Sequence, residues 1–137
     1  MKVKNMKEMI YQANRITEIL CEGTYKNVQF VIVSYGLHPC AYIRIPENNK
    51  YYKKDFCDVE LEFPVNGGIT YSDNLKRLGF EEGFWYGWDY AHYSDFSGTD
   101  LMFDENLRTN GKKWTTEEIL EEVHNAINYL LNKENNQ

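Results

Sequence analysis

FWYGWDY, residues 84–90, is the stretch whose reading decides the fold. Aromatic side chains of this density suit the pleated, half-buried surface of a strand. Gly87 in its middle points to a bulge or to a group packed closely on the backbone. On a regular strand Trp85 and Trp88 face opposite sides, while Trp85, Gly87 and Asp89 share one. One tryptophan is then expected in the core. The other, with Tyr71, Tyr86, Tyr90 or Tyr93, would be free to stack on a base or sugar.

The polar continuation brings Asp89, His92 and Asp95 at three-residue intervals. If residues 91–95 curl into a turn, the three converge. A carboxylate beside an imidazole raises its pKa and fixes its tautomer, as general acid or base work requires. The spacing is no recognised metal signature, His38 is the only plausible extra histidine, and no metal or cofactor is expected. An ordinary network accounts for the same residues: Asp89 caps a turn, Asp95 faces water, and His92 bonds a carbonyl under Trp85 or Trp88.

Upstream, NGG at 66–68 demands backbone freedom that glycine supplies, and ITY after it looks like a short strand. Gly67 and Gly68 expose N–H groups beside Thr70, Tyr71 and Ser72, a small anion nest or simply a common turn. Lys53 and Lys54 would add positive charge to it. SDNLKRLGFEEG, residues 72–83, reads as a loop or one turn of helix. DVELEF, residues 58–63, alternates strictly, predicting a strand with Val59, Leu61 and Phe63 inward and Asp58, Glu60 and Glu62 on a solvated face.

NVQFVIVS and CAYIRI, separated by YGLHP, read as a hairpin that stops at Pro46. Met6, Met9, Ile10, Ala13, Ile16, Ile19 and Leu20 follow a helical period over residues 5–22, with Gly23 as a stop signal. WTTEE offers Thr115 as N-cap and Glu118 three residues later, followed by Ile119, Leu120, Val123, Ile127, Leu130 and Leu131 at helical spacing. His124 belongs at the edge of the core on that helix. The expected architecture is α+β in one domain spanning 1–137: a mostly antiparallel sheet of four to six strands with an N-terminal and a C-terminal helix on one face.

Composition narrows the partners. Fifteen Lys plus Arg against twenty-one Asp plus Glu give a net charge of -6, which opposes a generic nucleic-acid surface. Cys21, Cys40 and Cys57 are odd in number and lack CxxC spacing, so reduced thiols are expected. No apolar run approaches the length of a membrane span, and the expected location is the cytoplasm of a host cell. Eleven Tyr and three Trp instead bring large contact areas with polar tips, suited to binding.

IPENNKYYKKDFCDV, NGGITYS and FWYGWDYAHYSD together resemble a family of small uncharacterised phage and prophage proteins. Its members read IPKGHPLYGKDYDDI, VHGGLTYS and WWFGFDCAHAGD, in the same order. Tyr52, Lys54, Asp55 and Asp58 match the first motif, and Gly67, Gly68, Thr70, Tyr71 and Ser72 the second. Trp85, Gly87, Asp89, Ala91, His92 and Asp95 match the third. Asn49 and Asn66 stand where the pattern has His, and Ser94 where it has Gly. Two fewer imidazoles favour binding over metal-dependent catalysis.

What the resemblance implies is a phage accessory role directed at the host and its defences. The expected function is sequestration of a small polar, nucleotide-derived ligand by Gly67, Gly68, Thr70, Tyr71, Ser72, Trp85, Trp88, Asp89, His92 and Asp95. Two alternatives stand beside it. One is a small hydrolase of phosphate or glycosidic bonds in which Asp89 orients His92 with Asp95 nearby. The other is an inhibitor of a host defence protein, in the manner of an anti-CRISPR. Pockets shared across subunits are common among small binders, which makes a homodimer part of the expectation.

Overall fold

The computed structural model describes residues 18–35, 38–59, 62–90 and 114–132. Five strands form one antiparallel sheet: β1 (Glu18–Tyr25), β2 (Val28–Ser34), β3 (Pro39–Arg44), β4 (Tyr71–Leu75) and β5 (Phe80–Asp89). Their spatial order is β1-β2-β3-β5-β4, so the last strand in sequence returns between β3 and β4. A helix, α1 (Thr116–Leu130), follows. The arrangement is α+β, as the sequence predicts.

The β2–β3 hairpin forms where expected, with Phe30 opposite Ile43 and Val33 opposite Cys40. The N-terminal helix expected over 5–22 is overturned at its end: residues 18–22 lie in β1, and 5–17 lie outside the described residues. Gly23 is inside that strand. Ile19 and Leu20, read as part of a buried helical stripe, are 46% and 37% exposed, and from Cys21 exposure alternates with period two. A two-residue turn joins β1 to β2, with Lys26 at φ 50° and Asn27 at φ 67°. Positive φ at both central positions matches the right-handed twist of the strands.

DVELEF is also not the expected strand. Phe56–Asp58 is a 3-10 turn capped by Asp55, whose carboxylate accepts from the Cys57 N–H at 2.9 Å. The Glu62 N–H then donates to the Val59 carbonyl at 3.0 Å. Val59 and Phe63, four residues apart, reach the same core from this turning chain. Asp58 is exposed as expected, while Glu60 and Leu61 lie outside the described residues. The segment read as a loop or one turn of helix over 72–83 does contain such a turn, a 3-10 turn at Lys76–Leu78 ending on left-handed Gly79, but β4 leads into it and the start of β5 follows it.

One face of the sheet carries the main core. Phe30, Ile32, Ala41, Ile43, Tyr86 and Trp88 pack there with Ile119, Val123, Ala126, Ile127 and Leu130 of α1. The predicted capping box starts the helix: Thr115 Oγ1 accepts from the Glu118 N–H, and Glu118 Oε1 from the Thr115 N–H, each at 3.1 Å. His124 is half-buried at the core edge, stacked on Tyr25 at 4.1 Å. The second helix expected beside α1 falls on residues not described. The opposite face carries a smaller cluster of Val31, Val33, Cys40, Tyr42, Leu75 and Trp85.

Gly87 explains itself. Tyr42 of β3 and Tyr71 of β4 are both its cross-strand partners, and their rings meet edge to face at 5.5 Å. A Cβ at 87 would lie 2.4 Å from Tyr42 Cδ1, well inside contact distance. The close approach inferred from sequence is therefore a tyrosine ring laid across the strand. Gly87→Ala should destabilise the fold by about 1–3 kcal/mol through overpacking, seen as a lower urea midpoint. An unchanged midpoint would show that the Tyr42 ring does not need that space.

Candidate functional site

The glycine bend and the end of β5 do adjoin. Gly67 and Gly68 have φ of 72° and 82°, conformations glycine adopts without a Cβ penalty. The chain leaving them reaches β5, where the Thr70 N–H donates to the Gly87 carbonyl at 2.9 Å and Thr70 Oγ1 to Asp89 Oδ2 at 3.4 Å. His92 and Asp95 lie outside the described residues, as do Ala91, Tyr93 and Ser94.

The nest expected for a ligand anion is already engaged by the protein. The Gly68 N–H donates to the Val65 carbonyl at 3.0 Å. The neighbouring Asn66 N–H donates to Glu122 Oε1 of α1 at 3.1 Å, and the same oxygen accepts from the Tyr90 hydroxyl at 2.6 Å. Trp88 Nε1 donates to that hydroxyl at 2.9 Å. A side-chain carboxylate thus holds the bend against the helix. Ser72 Oγ accepts from the Phe56 N–H at 2.9 Å, tying β4 to the 3-10 turn.

Both tryptophans are core residues, which corrects the expectation that one stacks on a ligand. They do point to opposite faces: Trp88 is 1% exposed in the main cluster and Trp85 is 0% exposed in the smaller one. Tyr71 is half-buried, its ring against Tyr42 and its hydroxyl donating to the Asn74 carbonyl. Asn49 is 4% exposed. Its Nδ2 donates to the Leu130 carbonyl at 2.9 Å and its Oδ1 accepts from the Tyr51 N–H at 3.0 Å. It therefore satisfies one of the last carbonyls of α1, a role an amide performs well.

Two arrangements were not legible in sequence. Arg77, read as loop, donates through Nη2 to the hydroxyls of Tyr35 and Tyr42, each at 2.9 Å. Its guanidinium lies 5.2 Å from the Tyr71 ring centroid, and the two tyrosine hydroxyls are 2.7 Å apart. Nearby, burial together with the Asp89 carboxylate pushes the Cys40 thiol up to about 12, so this sulfur is a neutral core group.

The second arrangement is a groove of about 730 Å³ where β1, β2, β3 and β5 end together. Thr24, Gln29 and Arg44 come from neighbouring strands, Glu82 and Gly83 from the start of β5, and Glu47 and Tyr52 from the connection after β3. Tyr52 is propped edge to face against Phe84 at 5.8 Å. Arg44 makes no side-chain hydrogen bond or ion pair among the described residues. The only available sequence signals were an arginine ending an apolar strand and a glycine opening an aromatic one.

Among the described residues no three His, Cys, Asp or Glu side chains are grouped to hold a metal ion, and no helix is long and apolar enough to cross a membrane. No protein-family model, curated protein or solved structure matches the chain.

Glu122→Ala would leave the Asn66 N–H and the buried Tyr90 hydroxyl without their shared acceptor, at a cost of about 2 kcal/mol in urea unfolding. A loss below about 0.5 kcal/mol would mean water replaces the carboxylate.

Alkaline pH should act on the same core. Burial, foremost, raises the Cys40 thiol and the Tyr42 and Tyr86 hydroxyls above their ordinary values. The folded state holds all three in the neutral, protonated form. Their stabilisation is complete below the unfolded value of 9.0 for the thiol and is lost as pH rises toward about 12. Urea midpoints should be level below that window and decline through it; a midpoint that stays level would contradict the assigned burial.

Proposed function

We propose that the protein is a small binder that takes up and sequesters a compact polar, nucleotide-derived molecule, in the phage accessory role its motifs resemble, and so counteracts host antiviral defence. The observation that carries this reading is the groove at Arg44. Its volume of about 730 Å³ lies within the range of small-molecule sites, roughly 300–1,000 Å³. Its lining combines an aromatic ring, a guanidinium, two carboxylates and neutral side-chain polar groups. That mixture fixes the orientation of a ligand with both acceptor and donor edges.

Binding without turnover is favoured by the chemistry of the groove. Among the described residues neither a nucleophilic thiol nor an imidazole lines it. The hydrolase reading needs His92 and Asp95, which lie outside the described residues, and of that trio Asp89 accepts a hydrogen bond from Thr70. Our reading puts the ligand at the Arg44 end of the sheet, away from the glycine bend, where the Asn66 and Gly68 N–H groups already have partners in the fold.

Mass spectrometry of small molecules released by heat from the purified chain should recover a nucleotide-type compound, and titration of the emptied protein with it should show saturable binding. Tyr52→Ala should weaken that binding about tenfold, a change of about 1.4 kcal/mol. A chain that retains nothing and gives no heat with mononucleotides or cyclic nucleotides would refute the reading.

A further inference from the structure

We infer that the groove receives a singly charged anionic oxygen group of its ligand over Gly83, between the Arg44 guanidinium and the Trp85 indole N–H. This rests on the reading of the groove as a ligand site and adds what the ligand must carry. The strand register places Arg44 directly opposite Trp85 on adjacent strands. Gly83 stands two residues before Trp85, on the same face, with φ 119°, a conformation reserved for glycine. A Cβ built there would lie 2.7 Å from Arg44 Nε and 2.8 Å from Trp85 Nε1. Two nitrogen donors therefore sit together against the bare backbone of one glycine.

Two donors cannot satisfy each other. Trp85 is 0% exposed, and its Nε1 is a buried polar atom with no hydrogen-bond partner. An unsatisfied buried donor costs about 1–3 kcal/mol, and native proteins carry few of them. What is missing at this point is an acceptor. The Arg44 stem separates the indole from open solvent, with Cδ 3.1 Å from the same spot. That stem is flexible, so an oxygen entering along the groove reaches both donors when it rotates.

Charge selects among acceptors. Among the described residues the groove offers one cation, Arg44, against two carboxylates, Glu47 and Glu82. With that balance a dianionic phosphomonoester is repelled more strongly than a monoanion, whose single charge Arg44 can pair locally. The carboxylates accept hydrogen bonds only, so they call for amino or hydroxyl donors elsewhere on the ligand. The chemical class is a phosphodiester monoanion joined to an amino-bearing base, with Tyr52 as a surface for the base.

Isothermal titration of the full chain with 3′,5′-cyclic adenosine monophosphate, 5′-adenosine monophosphate and adenosine tests this. The cyclic diester should bind at least tenfold more tightly than either of the others. Arg44→Gln should remove its advantage over adenosine, and Trp85→Phe, checked by circular dichroism for an intact sheet, should weaken the diester about tenfold while changing adenosine little. If Arg44→Gln keeps the wild-type preference, or adenosine binds as well as the diester, the anion position is wrong although the groove still binds ligand. If none of the three binds the wild-type chain, the groove reading falls with it.

Discussion

The Tyr42 ring lying across Gly87 is the contact on which the centre of this sheet depends. β3 and β5 are far apart in sequence, and nothing in their connection obliges them to pair. Their ladder runs from Cys40 opposite Asp89 to Arg44 opposite Trp85, with Tyr42 and Gly87 at its middle. Shifting the register by one residue would turn Tyr42 onto a side chain and expose the main-core rings of Tyr86 and Trp88. With the register held, Tyr71 meets Tyr42 from the far side, Arg77 joins the hydroxyls of Tyr35 and Tyr42, and Thr70 reaches Asp89. The same register brings Arg44 beside Trp85 at the other end of the strand pair.

Tyrosines, more than aliphatic side chains, join the long connection between β3 and β4 to the rest of the molecule. Tyr51 is fully buried, with its hydroxyl donating to Glu62 at 2.8 Å and lying 3.2 Å from the Tyr129 hydroxyl. The Tyr86 hydroxyl returns to the carbonyls of Tyr51 and Lys54, and Tyr90 links Trp88 to Glu122. Each ring contributes apolar area while its tip satisfies a backbone or carboxylate group that the connection would otherwise bury unpaired. This accounts for a chain rich in rings, and burial of those rings raises the Tyr51 and Tyr86 hydroxyls above their ordinary range.

What could be read in the chain was whatever depends on neighbours in sequence. The β2–β3 hairpin, the Thr115–Glu118 capping box and the strand through Gly87 announce themselves within a few residues. Glu18–Tyr25 did not, because Ile16, Ile19 and Leu20 satisfy a helical spacing, while the strand state of Ile19 and Leu20 depends on β2 and on a Lys26–Asn27 turn of unusual composition. DVELEF alternates like a strand, yet Val59 and Phe63 are buried by a turning chain that the spacing cannot distinguish from an extended one. The candidate site was legible in part: Thr70 and Asp89 do meet. Glu122, which engages the glycine bend, comes from the helix, and Arg77 and Arg44 acquire their surroundings only through cross-strand register.

The two faces of the sheet differ in polar satisfaction, and the proposed ligand site rests on that difference more than on any single residue. On the helix-covered face, donors buried with the rings, including Trp88 Nε1, the Tyr90 hydroxyl and Asn49 Nδ2, have acceptors supplied by the chain. On the other face Trp85 Nε1 has none, and an arginine stands beside it without a hydrogen-bonding or ionic partner among the described residues. A sequence shaped for folding alone would be more stable with an apolar ring at 85 and a neutral side chain at 44, since unpaired donors stabilise nothing. Gly83 sharpens the point, for both nitrogens pack against its backbone so closely that a side chain there would collide with them. A polar deficiency confined to one end of one face, beside a groove of ligand size, is what a protein needs when the completing acceptor arrives from solution.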